Sequence, residues 1–500
     1  MQAEKPAAVL ERLSFYLNAP LDEILRLRIA ADPSQHAVKL FHKVVREVPA
    51  YRQFLESNAV EPGKVKSFGD FATLPLTDKA NYMQKYPLPD RCKGGSLINC
   101  DRLAVSSGST GIPTFWPRAM VDELEVALRF EQVFRRSFRA HERVTLAVVC
   151  FPLGNWVGGV FTASCCWHLA QKGYPLTVAT PGNKPEEILR VVCELGRYFQ
   201  QTVLLGYPPF VKDVVDMGKS QGLDWGAYSI KFVFAGEVFS EEWRSLMVDS
   251  VGSASPYDSA SLYGTADGGI LGNETPLSIA VRRFLSETPA AARELFGESR
   301  LPTLVQYDPV SRFIEWVNGS TLAVTGDNGV PLIRYHIADR GGIMPHGEML
   351  GFLKDWGLHS FEDYGLDGDG CALPFVWVFG RADFTVSFYG ANIYPENVTV
   401  GLEQPELTGW VTGKFVMEVR ASEEGSECLH IAVELLQAQQ ADAEKRDAIA
   451  QSVRSQLHRL NSEFANYVPF ARQTPQIELL PFADPAYFPP GVKHRYTRRS

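Results

Sequence analysis

The sequence has no Cys-x-x-Cys pair. Its eight cysteines are scattered through 500 residues, and only Cys165 and Cys166 are neighbours. Vicinal cysteines rarely bridge, so this usage reads as reduced thiols in a cytosolic protein and argues against structural zinc. Clustered positive charge is also missing, apart from the tip His494-Arg495-Tyr496-Thr497-Arg498-Arg499. Lys plus Arg number 49 against 58 Asp plus Glu, a net charge of −9. Phosphate-backbone affinity needs clustered cations, which excludes nucleic acid as the main ligand. The N-terminus, Met1-Gln2-Ala3-Glu4-Lys5-Pro6, lacks the basic-then-apolar pattern of a secretory signal. Residues 144–167 carry no charge, but Pro152, Gly154, Asn155, Gly158 and Gly159 interrupt them. A lipid-exposed helix could not satisfy that backbone, so the stretch reads as a buried strand (144–150), a loop and a buried helix, with no membrane partner.

An apolar fraction of 45% and a charged fraction of 21% are those of an ordinary globular enzyme. At this length two or more domains are expected. The first hundred residues are helical and irregular: Leu40, Phe41, Val44, Val45 and Val48 recur on one helical face, and Thr77 is a helix N-cap candidate. Residues 122–138 form a helical pattern. Short apolar runs at 144–150, 176–179, 202–206 and 231–235 are spaced by helix-length intervals, which predicts α/β layers on a largely parallel sheet. After about Thr303 the strands crowd together (304–307, 313–317, 321–324, 332–334), as in a β-rich subdomain. Residues 365–370 read as a solvated turn, since a calcium loop would need helical flanks and a terminal Glu. The tail carries strands at 414–420, 429–435 and 476–480 and a helix at 441–460, a small α+β unit. The predicted division is 1–382 and 383–500.

One loop stands out for chemistry: Ser106-Ser107-Gly108-Ser109-Thr110-Gly111. Its glycines permit close backbone approach, while its hydroxyls and N–H groups can converge on phosphate oxygens. It follows the apolar Leu103-Ala104-Val105 and is expected to lead into a helix, a favourable place for an anion. The spacing is neither that of a GxxxxGK[ST] loop nor that of a GxSxG elbow. Alone, such a run could equally be a solvated turn.

The stretches that follow add to it. Ser106 to Thr114 resembles the phosphate-loop signature of the adenylate-forming superfamily, in particular its phenylacetate–CoA ligase branch. In that family's order come Ala235-Gly236-Glu237, then Tyr263-Gly264-Thr265-Ala266-Asp267, then Pro331-Leu332-Ile333-Arg334-Tyr335 leading to Asp339. Gly380-Arg381-Ala382-Asp383 and Gly390-Ala391-Asn392-Ile393-Tyr394-Pro395 complete the set. The resemblance spans roughly residues 70–400. It implies a large N-terminal α/β adenylation domain with a β-rich subdomain and a small, mobile α+β C-terminal domain.

The resemblance also implies roles. Ser106, Ser107, Gly108, Ser109, Thr110 and Gly111 would hold the β- and γ-phosphates of ATP. Gly236, Glu237, Tyr263, Gly264 and Thr265 would form the adenine slot. Asp339 would accept from the ribose hydroxyls, and Arg381 would approach ribose or phosphate. Asp267 would hold Mg²⁺, Lys493 would neutralise charge during adenylation, and Asp383 would be the hinge. The acid would sit among Asn155, Trp156, Gly158, Gly159 and Ala235, which favours an aromatic acid.

Three features depart from the family pattern. Ile112 stands where many relatives carry Lys, Asp267 stands where Glu is usual, and Val492 separates Gly491 from Lys493. A Cys- and His-bearing segment of some relatives is absent from residues 268–273. The expected activity is formation of acyl-AMP from a carboxylic acid and ATP, then transfer to coenzyme A in the cytoplasm. Transfer to a carrier protein or an amine, or nucleotide binding without turnover, are the alternatives. Homodimerisation is left open.

Overall fold

The protein's computed structural model describes residues 4–106, 114–155, 157–298, 301–368, 370–381, 386–389, 391–421, 427–461, 464–465, 468–489 and 494–498. The chain opens with four helices, Glu4–Asn18, Leu21–Ala30, Pro33–Glu47 and Pro49–Ser57. The third starts where the Asp32 carboxylate accepts the Ser34 and Gln35 amides, with Pro33 in the first turn, and it buries Ala37, Phe41 and Val44. Thr77 is not a helix cap. Its amide donates to the Arg334 carbonyl, its hydroxyl donates to the Ile333 carbonyl at 2.9 Å, and Asp78 caps the following turn instead. The buried hydroxyl is committed to a strand more than 250 residues away, a pairing that local sequence cannot reveal.

Two strands, β1 (Arg102–Ser106) and β2 (Thr114–Arg118), form an antiparallel ribbon. The main sheet follows, with β3 (Thr145–Val149), β4 (Leu176–Ala179), β5 (Gln201–Gly206), β6 (Ile230–Ala235), β7 (Ser259–Thr265) and β8 (Gly269–Asn273). Strands β9 (Thr303–Gln306), β10 (Phe313–Val317), β11 (Thr321–Gly326), β12 (Leu332–Met344) and β13 (Phe375–Arg381) extend it. Among the described residues these make one eleven-stranded sheet, ordered β10-β11-β12-β13-β9-β8-β7-β6-β5-β3-β4. Pairings among β3 to β7 are parallel. From β7·β8 onward they are antiparallel, so the crowded strands after Thr303 continue the same sheet.

The parallel half explains the uncharged stretch at 144–167. Side chains alternate across a strand. Leu146 and Val148 therefore enter one core with Leu204, Phe232 and Phe234, while Ala147 and Val149 enter another with Val203, Leu205 and Val233. A strand buried on both faces must be apolar throughout. Helix Gly159–Gln171 then covers one face, burying Phe161, Cys165, Cys166 and Leu169.

Residues from Val386 to Leu479 bury a core of their own, including Phe388, Phe415, Ile431, Val453 and Leu457. It lies under β14 (Val386–Phe388), β15 (Ala391–Ile393), β16 (Val411–Ala421), β17 (Glu427–Leu435) and β18 (Gln476–Leu480). The long helix here begins at Ala443 because Asp442 accepts the Lys445 amide at 2.8 Å. No helix of the described residues is long and apolar enough to cross a membrane.

Candidate active site

The parallel strands β5, β6 and β7 end together, and the loops leaving them carry the predicted nucleotide residues. In open α/β sheets ligands bind at such carboxyl ends. Ala235 closes β6. Gly236 follows with φ +87°, and a Cβ there would stand 2.9 Å from the Tyr207 ring. Only glycine makes that turn cheaply, and it delivers the next residue, Glu237, toward the C-terminal segment. The Tyr496 hydroxyl donates to Glu237 Oε2 at 2.6 Å.

On β7, the Tyr263 hydroxyl donates to Asp339 Oδ2 at 2.8 Å. Both side chains are buried. Burial first, and the Asp339 carboxylate second, hold the phenol well above its ordinary pKa, so it stays a donor. Asp339 lies on β12 and faces Arg381 of β13 in register. Three residues far apart in sequence thus share one corner of the sheet. The Arg381 side chain lies outside the described residues. Gly264 has a packing reason to be glycine, since a Cβ there would meet the Gly269 carbonyl oxygen at 2.7 Å.

The turn between β7 and β8 is held from several sides. The Tyr335 hydroxyl donates to Asp267 Oδ2 at 2.6 Å. Arg118 Nη2 donates to the carbonyls of Ala266 at 2.5 Å and Asp267 at 3.2 Å. Arg312 Nε donates to the Gly268 carbonyl at 3.2 Å, and the Gly268 amide donates to Thr265 Oγ1 at 2.9 Å. Arg118 is only 3% exposed, and desolvation lowers its pKa despite nearby Asp122 and Asp267. Among the described residues no cluster of three or more His, Cys, Asp or Glu could hold a metal by itself. Mg²⁺ ordinarily takes one or two carboxylates and completes its shell with phosphate oxygens and water. A single oriented carboxylate, Asp267, fits that donor set.

Ser106 pairs with Thr114 across the β1–β2 ribbon, so the two ends of the loop expected to bind phosphate lie side by side. A strand, not a helix, follows the loop; helix Met120–Gln132 comes only after β2. β2 pairs with β1 residue by residue from Thr114 to Arg118, so the chain stays extended until the helix begins at Met120. Ser107, Gly108, Ser109, Thr110 and Gly111 lie outside the described residues, as do Trp156, Asp383, Lys493 and the Ser106 side chain.

The Val105 amide donates to the Asn155 carbonyl at 2.7 Å, which seats the expected acid-binding segment beside the ribbon. A cleft runs there, lined by Arg118, Asn155, Val157, Val160 and Phe161 among others. Gly159 is glycine for a different reason from the one its sequence context suggests. A Cβ there would stand 2.2 Å from the Pro152 carbonyl oxygen, so the space is filled by backbone and not left for a ring. A Cβ on Gly158 would meet the Phe151 side chain at an ordinary 3.4 Å.

Sequence reasoning misses Arg118, Arg312 and Tyr496, and it quotes Tyr335 without a role. A lone arginine ending an apolar strand is the signal that could have marked Arg118.

No family model matches the chain. It is 23% identical over 394 residues to the phenylacetate–coenzyme A ligase of Thermus thermophilus, covering 77% of this chain and 78% of that one. Its fold matches 2-hydroxyisobutyryl-CoA ligase in the postadenylation state with an acyl adenylate, with a TM-score of 0.66 at 15% identity over 94% of this chain and 89% of that one. The same ligase in its thioesterification state, with acyl adenylate and CoA, gives 0.52 at 15% identity over 97% and 91%. The structural likenesses show a shared fold, and the 23% sequence likeness agrees with the resemblance of the ordered motifs to the adenylate-forming superfamily and its phenylacetate–CoA ligase-like branch.

Proposed function

We propose that the protein activates a carboxylic acid with ATP and passes the acyl group to coenzyme A, giving acyl-CoA, AMP and pyrophosphate. The observation that carries this reading is the buried Tyr263–Asp339 bond at the carboxyl ends of the parallel strands. Arg381 lies opposite in register. In this reading the corner holds a nucleoside whose ribose hydroxyls donate to Asp339. The likeness to a phenylacetate–coenzyme A ligase supports an aromatic acid.

In the first step an oxygen of the acid attacks the α-phosphorus, the bond to the bridging β-phosphate oxygen breaks, and pyrophosphate leaves. Two anions must approach, so oriented donors and positive charge lower the barrier. Residues 106–111 would supply the donors to the β- and γ-phosphates. Gly236, Glu237, Gly264 and Thr265 would shape the adenine slot, and Arg381 and Lys493 would bring positive charge. Asp267 would hold Mg²⁺, which when bound neutralises phosphate charge. In the second step the thiol sulfur attacks the acyl carbon and AMP departs.

We read the chain as two domains, residues 1–382 and 383–500, with Asp383 at the pivot. Asn155, Trp156, Gly158, Gly159 and Ala235 belong to the acid side of the site, Gly159 through the backbone it lets pass.

ATP–pyrophosphate exchange with a panel of aromatic acids tests the reading. Exchange should require an acid and fall sharply in Lys493→Ala. ATP binding without exchange for any acid would favour a nucleotide-binding protein that does not turn over.

A further inference from the structure

The last described segment, 494–498, is laced to β16. His494 Nε2 lies 2.7 Å from the Phe415 carbonyl oxygen. The Met417 amide donates to the Tyr496 carbonyl at 2.8 Å, and the Arg498 amide donates to the Met417 carbonyl at 3.2 Å. The Tyr496 ring packs on Phe415 and His494, with centroids 5.1 and 4.6 Å away. Its hydroxyl then reaches out of this unit to Glu237, in the loop that closes β6. Gly236 fixes where that carboxylate points, because any other residue there would strike Tyr207.

Other bridges between the two cores are polar as well. Lys414 pairs with Asp213, the Ser240 hydroxyl donates to Glu403, and Arg340 donates to the Tyr394 hydroxyl at 3.0 Å. Contacts of this kind resemble transient interfaces, which separate more readily than apolar ones. Tyr496–Glu237 is the bridge that touches a nucleotide-slot residue.

We propose that Tyr496 and Glu237 form a clasp that seats the segment following Lys493 over the nucleotide slot, making both of them positioning residues for the adenylation half-reaction. The proposal rests on the ATP-dependent reading above. It separates the two half-reactions. Adenylation needs the clasp closed, whereas attack of a thiol on a ready-made acyl adenylate does not.

Tyr496→Phe removes one hydroxyl and keeps the ring that packs on Phe415, so the fold should persist, as a thermal melt would verify. Acid-dependent ATP–pyrophosphate exchange should fall about tenfold, the loss expected for one hydrogen bond to a charged group. Thioester formation from a supplied acyl adenylate and coenzyme A should stay within about twofold of the parent, since no group in contact with the reacting atoms is altered. Small-angle X-ray scattering should show a more extended particle. Both half-reactions falling together, or neither falling, would overturn the clasp. If the parent protein exchanges with no acid, the ATP-dependent reading fails by itself. Scattering still decides the clasp in that case, and identical profiles for parent and variant would overturn it.

Discussion

The hydroxyl of Tyr263 lies 2.8 Å from Oδ2 of Asp339, although 76 residues separate them in the chain. The contact orients the carboxylate for which a ribose-accepting role is proposed. Asp339→Asn should raise the KM for ATP about 10- to 100-fold, as expected for losing charge-assisted bonds, and leave the KM for the acid nearly unchanged. Tyr263→Phe should cost roughly fivefold in kcat/KM for ATP, the worth of one hydrogen bond. Steady-state kinetics with each substrate varied in turn checks both, and equal shifts in the two KM values would count against the ribose role.

Asp267 is held by Tyr335 through Oδ2 and by Arg118 through its carbonyl. Asp267→Asn keeps the shape and an acceptor for Tyr335 but removes the charge. If the carboxylate serves the metal, activity should fall about 100-fold and the Mg²⁺ concentration for half-maximal rate should rise. An unchanged Mg²⁺ titration would make Asp267 a structural residue.

Gly158 and Gly159 should behave differently. A Cβ on Gly159 would collide with the Pro152 carbonyl, whereas one on Gly158 meets Phe151 at contact distance. Gly159→Ala should destabilise the protein by about 1–3 kcal/mol, the usual cost of overpacking. Gly158→Ala should change stability by less than about 0.5 kcal/mol. Chemical denaturation of the two variants compares them, and similar losses would contradict the packing account.

Burial pushes the Glu403 carboxyl up to about 8; Glu242 adds to this, while the Ser240 hydroxyl and Arg282 oppose it. A carboxyl raised in the folded state keeps its proton to higher pH than the unfolded chain does. Its contribution to stability is therefore fullest below the ordinary carboxylate pKa and is lost as pH rises toward 8. Denaturation between pH 5 and 8.5 should show stability falling with pH, and Glu403→Gln should flatten that slope. A parent slope that survives in Glu403→Gln would assign it to other groups.

Much of the frame was legible because its signals are local. The apolar run at 144–150 could only be a strand buried on both faces, and β3 feeds two cores. The tail helix was one cap away from its observed start, since Asp442 holds its first turn. What escaped was non-local. Thr77 looked like a cap but its hydroxyl answers to Ile333. Gly159 suggested an open pocket but admits the Pro152 carbonyl. Arg118 and Tyr496 act on residues well over a hundred positions away, and no spacing rule connects such partners. The site residues that could be named were those the ordered motifs already marked.

Attack of the acid's carboxylate on the α-phosphorus of ATP carries one carboxyl oxygen into AMP. Turnover of an accepted acid labelled with ¹⁸O in its carboxyl group tests this directly, with AMP and pyrophosphate analysed by mass spectrometry. With both carboxyl oxygens labelled, one ¹⁸O is expected in AMP for each acyl group transferred and none in pyrophosphate. Label in pyrophosphate or inorganic phosphate, or AMP free of label, would contradict it.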